Sequence, residues 1–308
     1  MLLSIYTSVR NGLFFDYHVI DMLKHHLPLA DEIVVNDGFS TDGTYERASA
    51  LDPKIKVFRS DWGKPTGLSW LTRFKNDARA RCGGRWCINL DCDEFIPEWE
   101  FEPLRALLGQ SAAVIHPLRM INFYGNYKVF HGRPAEVPWP DVKFNVHRNR
   151  PDVEVYGDGS NVRLKDDPAG GRERKVEFSC HHFGFVRHPA RLRQKWRNVL
   201  AGLYRTKGGG LKGWLKFPAF LFNWFPHDWA DPQFLGDLEL YEGPFVRAVR
   251  ENPAEFVRDD FALYRRLKAG ADSSFRETTN RERGAVQPPH GRGSAPEPTP
   301  GHRNTSTV

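Results

Sequence analysis

A chain of 308 residues, 40% of them hydrophobic, can bury one large core or two small ones. It holds no run of 18 apolar residues, which argues against a membrane-spanning helix, and Met1 leads straight into a strand-like run, which argues against a signal peptide. The net charge is +6; the four cysteines, Cys82, Cys87, Cys92 and Cys180, lack the two-residue spacing of a zinc knuckle and read as reduced core residues of a cytosolic protein.

In chain order, strand-like runs at Leu2–Thr7, Glu32–Val35, Lys56–Phe58 and Trp86–Leu90 alternate with helical stretches at Phe15–His26, Thr44–Leu51 and Leu68–Arg81. Such alternation predicts an α/β fold with a mostly parallel sheet flanked by helices. A further helix is expected over 97–110, after Pro97. Residues 112–180 turn more β-like, punctuated by Pro134, Pro138, Pro140 and Pro151. Leu192, Trp196, Val199, Leu200 and Leu203 repeat with helical period. Beyond residue 270 the composition shifts to Gly, Pro, Ser, Thr and Arg, which predicts a disordered tail.

The densest chemistry lies at residues 88–96, Ile-Asn-Leu-Asp-Cys-Asp-Glu-Phe-Ile. If the strand continues there, Asp91 and Asp93 project to the same side. Two such carboxylates repel and are costly to bury unpaired, a conflict that Mg²⁺ or Mn²⁺ would remove. An Asp-x-Asp pair alone is weak evidence, since surface turns contain it too. Upstream, Ile33–Val35 read as a buried strand that ends in Asn-Asp-Gly-Phe-Ser-Thr-Asp-Gly-Thr. That segment is either a helix-capping loop or a carboxylate, Asp37, at a strand end where open α/β sheets bind nucleotides.

Together these segments resemble the family 2 glycosyltransferases of the GT-A fold, in particular members that build bacterial envelope glycans. Asp37 takes the first-Asp position of their strand-end motif, from which Gly38-Phe39 depart; Asp91-Cys92-Asp93-Glu94 match their second motif. Ser8-Val9-Arg10-Asn11-Gly12 looks like the first strand and its turn. His182-Phe183, with Arg187 and Lys195-Trp196, resembles a later His-aromatic…Lys segment. The resemblance, which covers roughly residues 2–105 well, implies a Rossmann-like catalytic domain over 1–185; period, charge and composition add a helical basic and aromatic region over 186–270 and the tail at 271–308. It implies an inverting, metal-dependent transferase that takes a nucleotide-sugar donor. Asp93 would hold Mn²⁺ or Mg²⁺, Asp91 would serve the metal or the ribose, and His182 would be a second ligand, with His181 as its substitute. Asp37 would accept from the nucleobase or ribose. Arg10, Arg73 and Lys195 are phosphate candidates. Relatives often carry a His-Glu pair before the His-aromatic segment; here the chain reads Tyr156-Gly-Asp-Gly-Ser-Asn-Val162. Asp158 is thus the candidate general base, with Asp141 and Glu154 as rivals, and Glu94 orients the site.

Residues 178–227 hold nine Lys/Arg and no Asp or Glu, and include the aromatic run 213–225. This pattern suits an anionic membrane surface, hence a lipid-linked acceptor and a place on the inner face of the plasma membrane; a solvated basic face would look the same. No nucleic-acid motif accompanies it. The other readings are a sugar-nucleotide binder that has lost catalysis, which the missing His-Glu favours, and a membrane-surface module, which leaves Asp91 and Asp93 unexplained. A sugar nucleotidyltransferase would need a longer, glycine-rich first loop.

Overall fold

The structure is a computed structural model that describes residues 1–65, 67, 69–132, 141–195 and 238–270. Four strands rich in β-branched and aromatic residues build its first half: Leu3–Val9 (β1), Glu32–Asp37 (β2), Ile55–Arg59 (β3) and Trp86–Asn89 (β4). β1, β2 and β4 are almost entirely buried, as parallel strands covered on both faces must be. The covering helices are Val19–His26 (α1), Thr44–Ser49 (α2) and Trp70–Arg79 (α3). On one face Val19, Met22 and Leu23 of α1 join Leu3, Ile5, Ile33 and Ile88 in the main core. On the other, Ala78 of α3 packs with Tyr6, Val34 and Cys87.

The first helix starts later than expected. Asp16 adopts a left-handed φ of 56°, so residues before Val19 form turns closed by Phe15 N–H to Asn11 O (3.0 Å) and Tyr17 N–H to Gly12 O (2.8 Å). The segment after Pro97 splits into a 3-10 turn, Glu98–Glu100, and helix α4, Phe101–Gln110.

The second half supplies Glu94–Phe95 (β5), Ile115–Tyr124 (β6), Asn126–His131 (β7), Val142–Arg148 (β8), Val153–Tyr156 (β9), Asn161–Leu164 (β10), Phe178–Phe185 (β11) and Leu238–Leu240 (β12). Helix α5 covers Pro189–Lys195 and α6 covers Arg247–Glu251. The main sheet runs β12-β7-β6-β8-β4-β1-β2-β3. β4-β1-β2-β3 pair in parallel; β4-β8, β8-β6, β6-β7 and β7-β12 pair antiparallel. Off this path, β11 runs parallel to β6 and antiparallel to β5, while β9 and β10 form a separate hairpin.

β1 passes to β2 on one side and the chain later returns to β4 on the other. The strand order therefore reverses between β1 and β4, and the crevice outside their carboxyl ends is where such sheets bind ligands. One structural unit spans Met1–Leu267, so the C-terminal segment 238–267 belongs with the sheet and adds β12 to it. Residues 196–237, with the basic aromatic run, and the tail 271–308 lie outside the described residues. Among those described, no helix is long and apolar enough to cross a membrane. All four cysteines are buried and none forms a disulfide.

Candidate active site

Asp91, Cys92 and Asp93 do not extend β4. They form a turn into β5, closed by Glu94 N–H to Asp91 O at 3.2 Å. The same-side projection expected for a strand is therefore replaced by two divergent carboxylates.

Asp91, 34% exposed, faces two lysines: Lys75 Nζ lies 2.5 Å from Oδ1 and Lys143 Nζ 3.2 Å from Oδ2. Burial raises its pKa, but the two lysines outweigh this and hold the carboxyl well below the usual carboxylate range. Glu94 is buried; it bonds the Lys143 ammonium and accepts the Asp91 amide at 3.0 Å. Burial, with the Asp91 charge, pushes the Glu94 carboxyl up to about 7 against the pull of Lys143.

Asp93 is buried and turns to the other side. Oδ2 accepts from Arg187, a fully buried guanidinium stacked 3.9 Å over the Tyr17 ring, and Oδ1 lies 3.6 Å from His182 Nε2. Burial raises its pKa too, but Arg187, then His182 and Lys195, lower it overall. β11 delivers His182: the residue pairs with Glu94 of β5 and Asn122 of β6, and Phe183 N–H reaches Asp93 O at 2.8 Å. His182 Nδ1 meets Asn122 Oδ1 at 2.8 Å, so a neutral ring keeps its proton there and turns the Nε2 lone pair to Asp93. A Cβ on Gly184 would collide with this imidazole, so only glycine leaves it room. Burial lowers the His182 pKa to about 4.

These atoms decide which residues fit a divalent ion. An imidazole lone pair and a carboxylate oxygen 3.6 Å apart, with no proton between them, form a donor pair that a cation would satisfy. Asp93 and His182 fit. Asp91 does not fit as a direct ligand, because a lysine holds each of its oxygens. His181 does not substitute for His182: its side chain points to the opposite face of β11, where Nε2 meets Tyr241 Oη at 3.2 Å.

Asp37 stands at the carboxyl end of β2, fully buried, with Oδ2 accepting Ser40 N–H (2.9 Å) and 3.4 Å from Arg59 Nε. Its Oδ1 has no hydrogen-bond partner among the described residues. Arg10, at the end of β1, reaches Gly63 O at 3.3 Å. Lys195 Nζ sits 4.9 Å over Tyr17, the ring that also stacks on Arg187, so the structure brings it beside the acid cluster. Arg73 stays outside the cluster, exposed over the Phe74 ring. Two positions along an α-helix is a turn of about 200°, so Arg73 faces away from Lys75. Asp158 is exposed in the β9–β10 turn, where it accepts Ser160 N–H at 3.0 Å. The turn is tied to the cluster: Gly159 O accepts from Lys75 (2.9 Å) and Asn89 (2.8 Å). Glu154 pairs with Arg163 at 2.8 Å, and Asp141 lies just before β8.

Lys75 and Lys143 were not among the candidates, yet both left a signal. Lys75 falls on the buried face of α3 with Phe74 and Ala78. On β8 the alternate positions Lys143, Asn145 and His147 are all buried and polar, where a structural strand would be apolar.

Residues 17–164 match the model of glycosyl transferase family 2. That match, over just under half of the chain, supports a glycosyltransferase, and the α/β sheet with its flanking helices is the GT-A fold. No curated protein matches the sequence. Similar solved structures include Staphylococcus aureus TarS 1–349, at 14% identity over 72% of this chain and 71% of that one with a TM-score of 0.40. The same TarS fragment in complex with UDP-GlcNAc covers 72% of each chain at 14% identity and a TM-score of 0.38. A mycobacterial protein is 23% identical over 40% of this chain and 41% of its own, with a TM-score of 0.28.

Proposed function

We propose that the protein moves a sugar from a nucleotide-sugar donor to a hydroxyl of a glycan or lipid-linked acceptor, with inversion and with a divalent ion. The observation that carries this reading is the placement of Asp37 and of the Asp91–Glu94 turn at the carboxyl ends of β2 and β4, on either side of β1, where the strand order reverses. Asp37 takes the nucleoside. Asp93 and His182 hold Mn²⁺ or Mg²⁺, which when bound supplies positive charge to the leaving diphosphate.

This chain's own residues do the rest. Lys75 and Lys143 fix Asp91 and keep it ionised to receive the ribose. Glu94 orients the turn through the Asp91 amide. Lys195 and Arg10 lie close enough to the crevice to meet phosphate. Asp158, on the turn tethered by Lys75, takes the proton of the acceptor hydroxyl. A cytoplasmic site, at the inner face of the plasma membrane, follows from the basic aromatic run of the sequence and belongs to the same proposal.

A thermal-shift panel of UDP-, GDP-, CMP- and TDP-sugars, with Mn²⁺ or with EDTA, tests it. One nucleotide class should raise the melting temperature, and more so with Mn²⁺, because ligand bound to the native state stabilises it by mass action. No shift with any of them would overturn the reading. A shift equal in EDTA would overturn the metal part alone.

A further inference from the structure

Phe39 breaks two rules at once. Its φ of 55° lies in the left-handed region, where a bulky L-residue is a genuine outlier, and 49% of it is exposed where burial would be favourable. The loop holds it there. After it, Ser40 N–H bonds Asp37, Ser40 Oγ accepts Asn11 N–H at 2.8 Å and Thr41 N–H bonds Asn11 Oδ1 at 2.8 Å; before it, Gly38 N–H bonds Val9 O at 2.8 Å. Strain kept in place by so many contacts points to a use for the side chain.

Three groups define that use. Two residues before Phe39, Asp37 is fully buried with Oδ1 unpartnered among the described residues, a costly state until a donor arrives. The Arg59 guanidinium links the set: it lies 3.4 Å from Asp37, 3.8 Å over the Tyr45 ring and 5.8 Å from the Phe39 ring. An exposed aromatic ring and a spare carboxylate acceptor that share one arginine suit a flat ring with an N–H edge.

We propose that Phe39 is the stacking platform for the nucleobase of the donor, so that the base lies on this ring and donates to Asp37. The inference rests on the nucleotide-sugar reading above and names a contact of that same site.

Phe39→Gly separates binding from folding. Glycine adopts this φ without strain, so the variant should melt no lower than wild type and up to about 2–4 °C higher. Its affinity for the nucleoside diphosphate found in the panel should fall about tenfold or more, the scale of one lost base–aromatic stack. Phe39→Trp should keep wild-type affinity. Inorganic pyrophosphate, which has no base, should bind wild type and Phe39→Gly alike. Unchanged nucleotide affinity in Phe39→Gly would overturn the proposal, as would a Phe39→Gly that melts lower and a Phe39→Trp that binds no better. If wild type binds no nucleoside diphosphate, the failure lies in the nucleotide-sugar reading itself.

Discussion

The two acidic centres at the carboxyl ends of the sheet are built in opposite ways. At the β4–β5 turn five of the six oxygens of Asp91, Asp93 and Glu94 have a hydrogen-bond or ion-pair donor, Asp93 Oδ1 alone facing the His182 lone pair instead, and three cations, Lys75, Lys143 and Arg187, match three acids. At the end of β2, Asp37 has one partly exposed arginine and one oxygen to spare. The first centre is compensated internally, and so it can sit inside the protein. A ligand arriving there, other than a cation between Asp93 and His182, must share or displace a partner. The second gains a hydrogen bond without losing one. The comparison teaches that stability and binding separate: changes at the turn should damage folding as well as transfer, and changes at Asp37 should show mainly in affinity.

Asp93→Asn gives the largest effect. Transfer, followed by release of nucleoside diphosphate, should fall by at least a hundredfold. Because Arg187 would stay behind as a buried, uncompensated cation, urea unfolding should also show a loss of about 3–5 kcal/mol. Asp93→Asn with Arg187→Met should recover most of that stability and none of the activity. A single variant as stable as wild type would mean that the ion pair is not formed.

Lys143→Met should cost about 3 kcal/mol for the same reason, since it strips Glu94 and Asp91 of a shared partner. Asp37→Ala is the contrast. It should weaken nucleoside diphosphate binding by about 1–3 kcal/mol, read by titration calorimetry, and change unfolding by less than the Lys143 variant.

Acid should reach the core through buried histidines. His18, His25 and His147 are buried, and burial lowers each pKa to about 4 from an ordinary 6.5. Between those values the unfolded chain binds more protons than the folded one. Stability should therefore be fully present above pH 6.5 and drain away as pH falls towards 4. Urea midpoints at pH 7 and pH 5 check this; equal midpoints would contradict it. Arg73→Ala gives the smallest effect, within about 0.5 kcal/mol for stability, as an exposed side chain off the cluster should.

Much of this was legible in the sequence for definite reasons. β1 to β4 are short, apolar and bounded by turn residues, so their period and punctuation locate them within two residues. Asp37, Asp91, Asp93 and His182 stand in local motifs. What escaped is what depends on pairing across the chain. Lys143 meets Glu94 only because β8 pairs beside β4, and Lys75 is separated from the exposed Arg73 only by helical phase. The divergence of Asp91 and Asp93 escaped because a turn, not a strand, carries them. The antiparallel half, β6 to β8, was hidden by interrupted patterns such as Pro117 within β6.

The most direct test of two separate centres is calorimetric titration of nucleoside diphosphate into wild type, Asp37→Ala and His182→Ala, each with Mn²⁺ and with EDTA. The account predicts that Asp37→Ala weakens binding by a similar factor in both media, while His182→Ala keeps the EDTA affinity and loses the gain that Mn²⁺ confers. A full Mn²⁺ gain in His182→Ala, or unchanged affinity in Asp37→Ala, would contradict it.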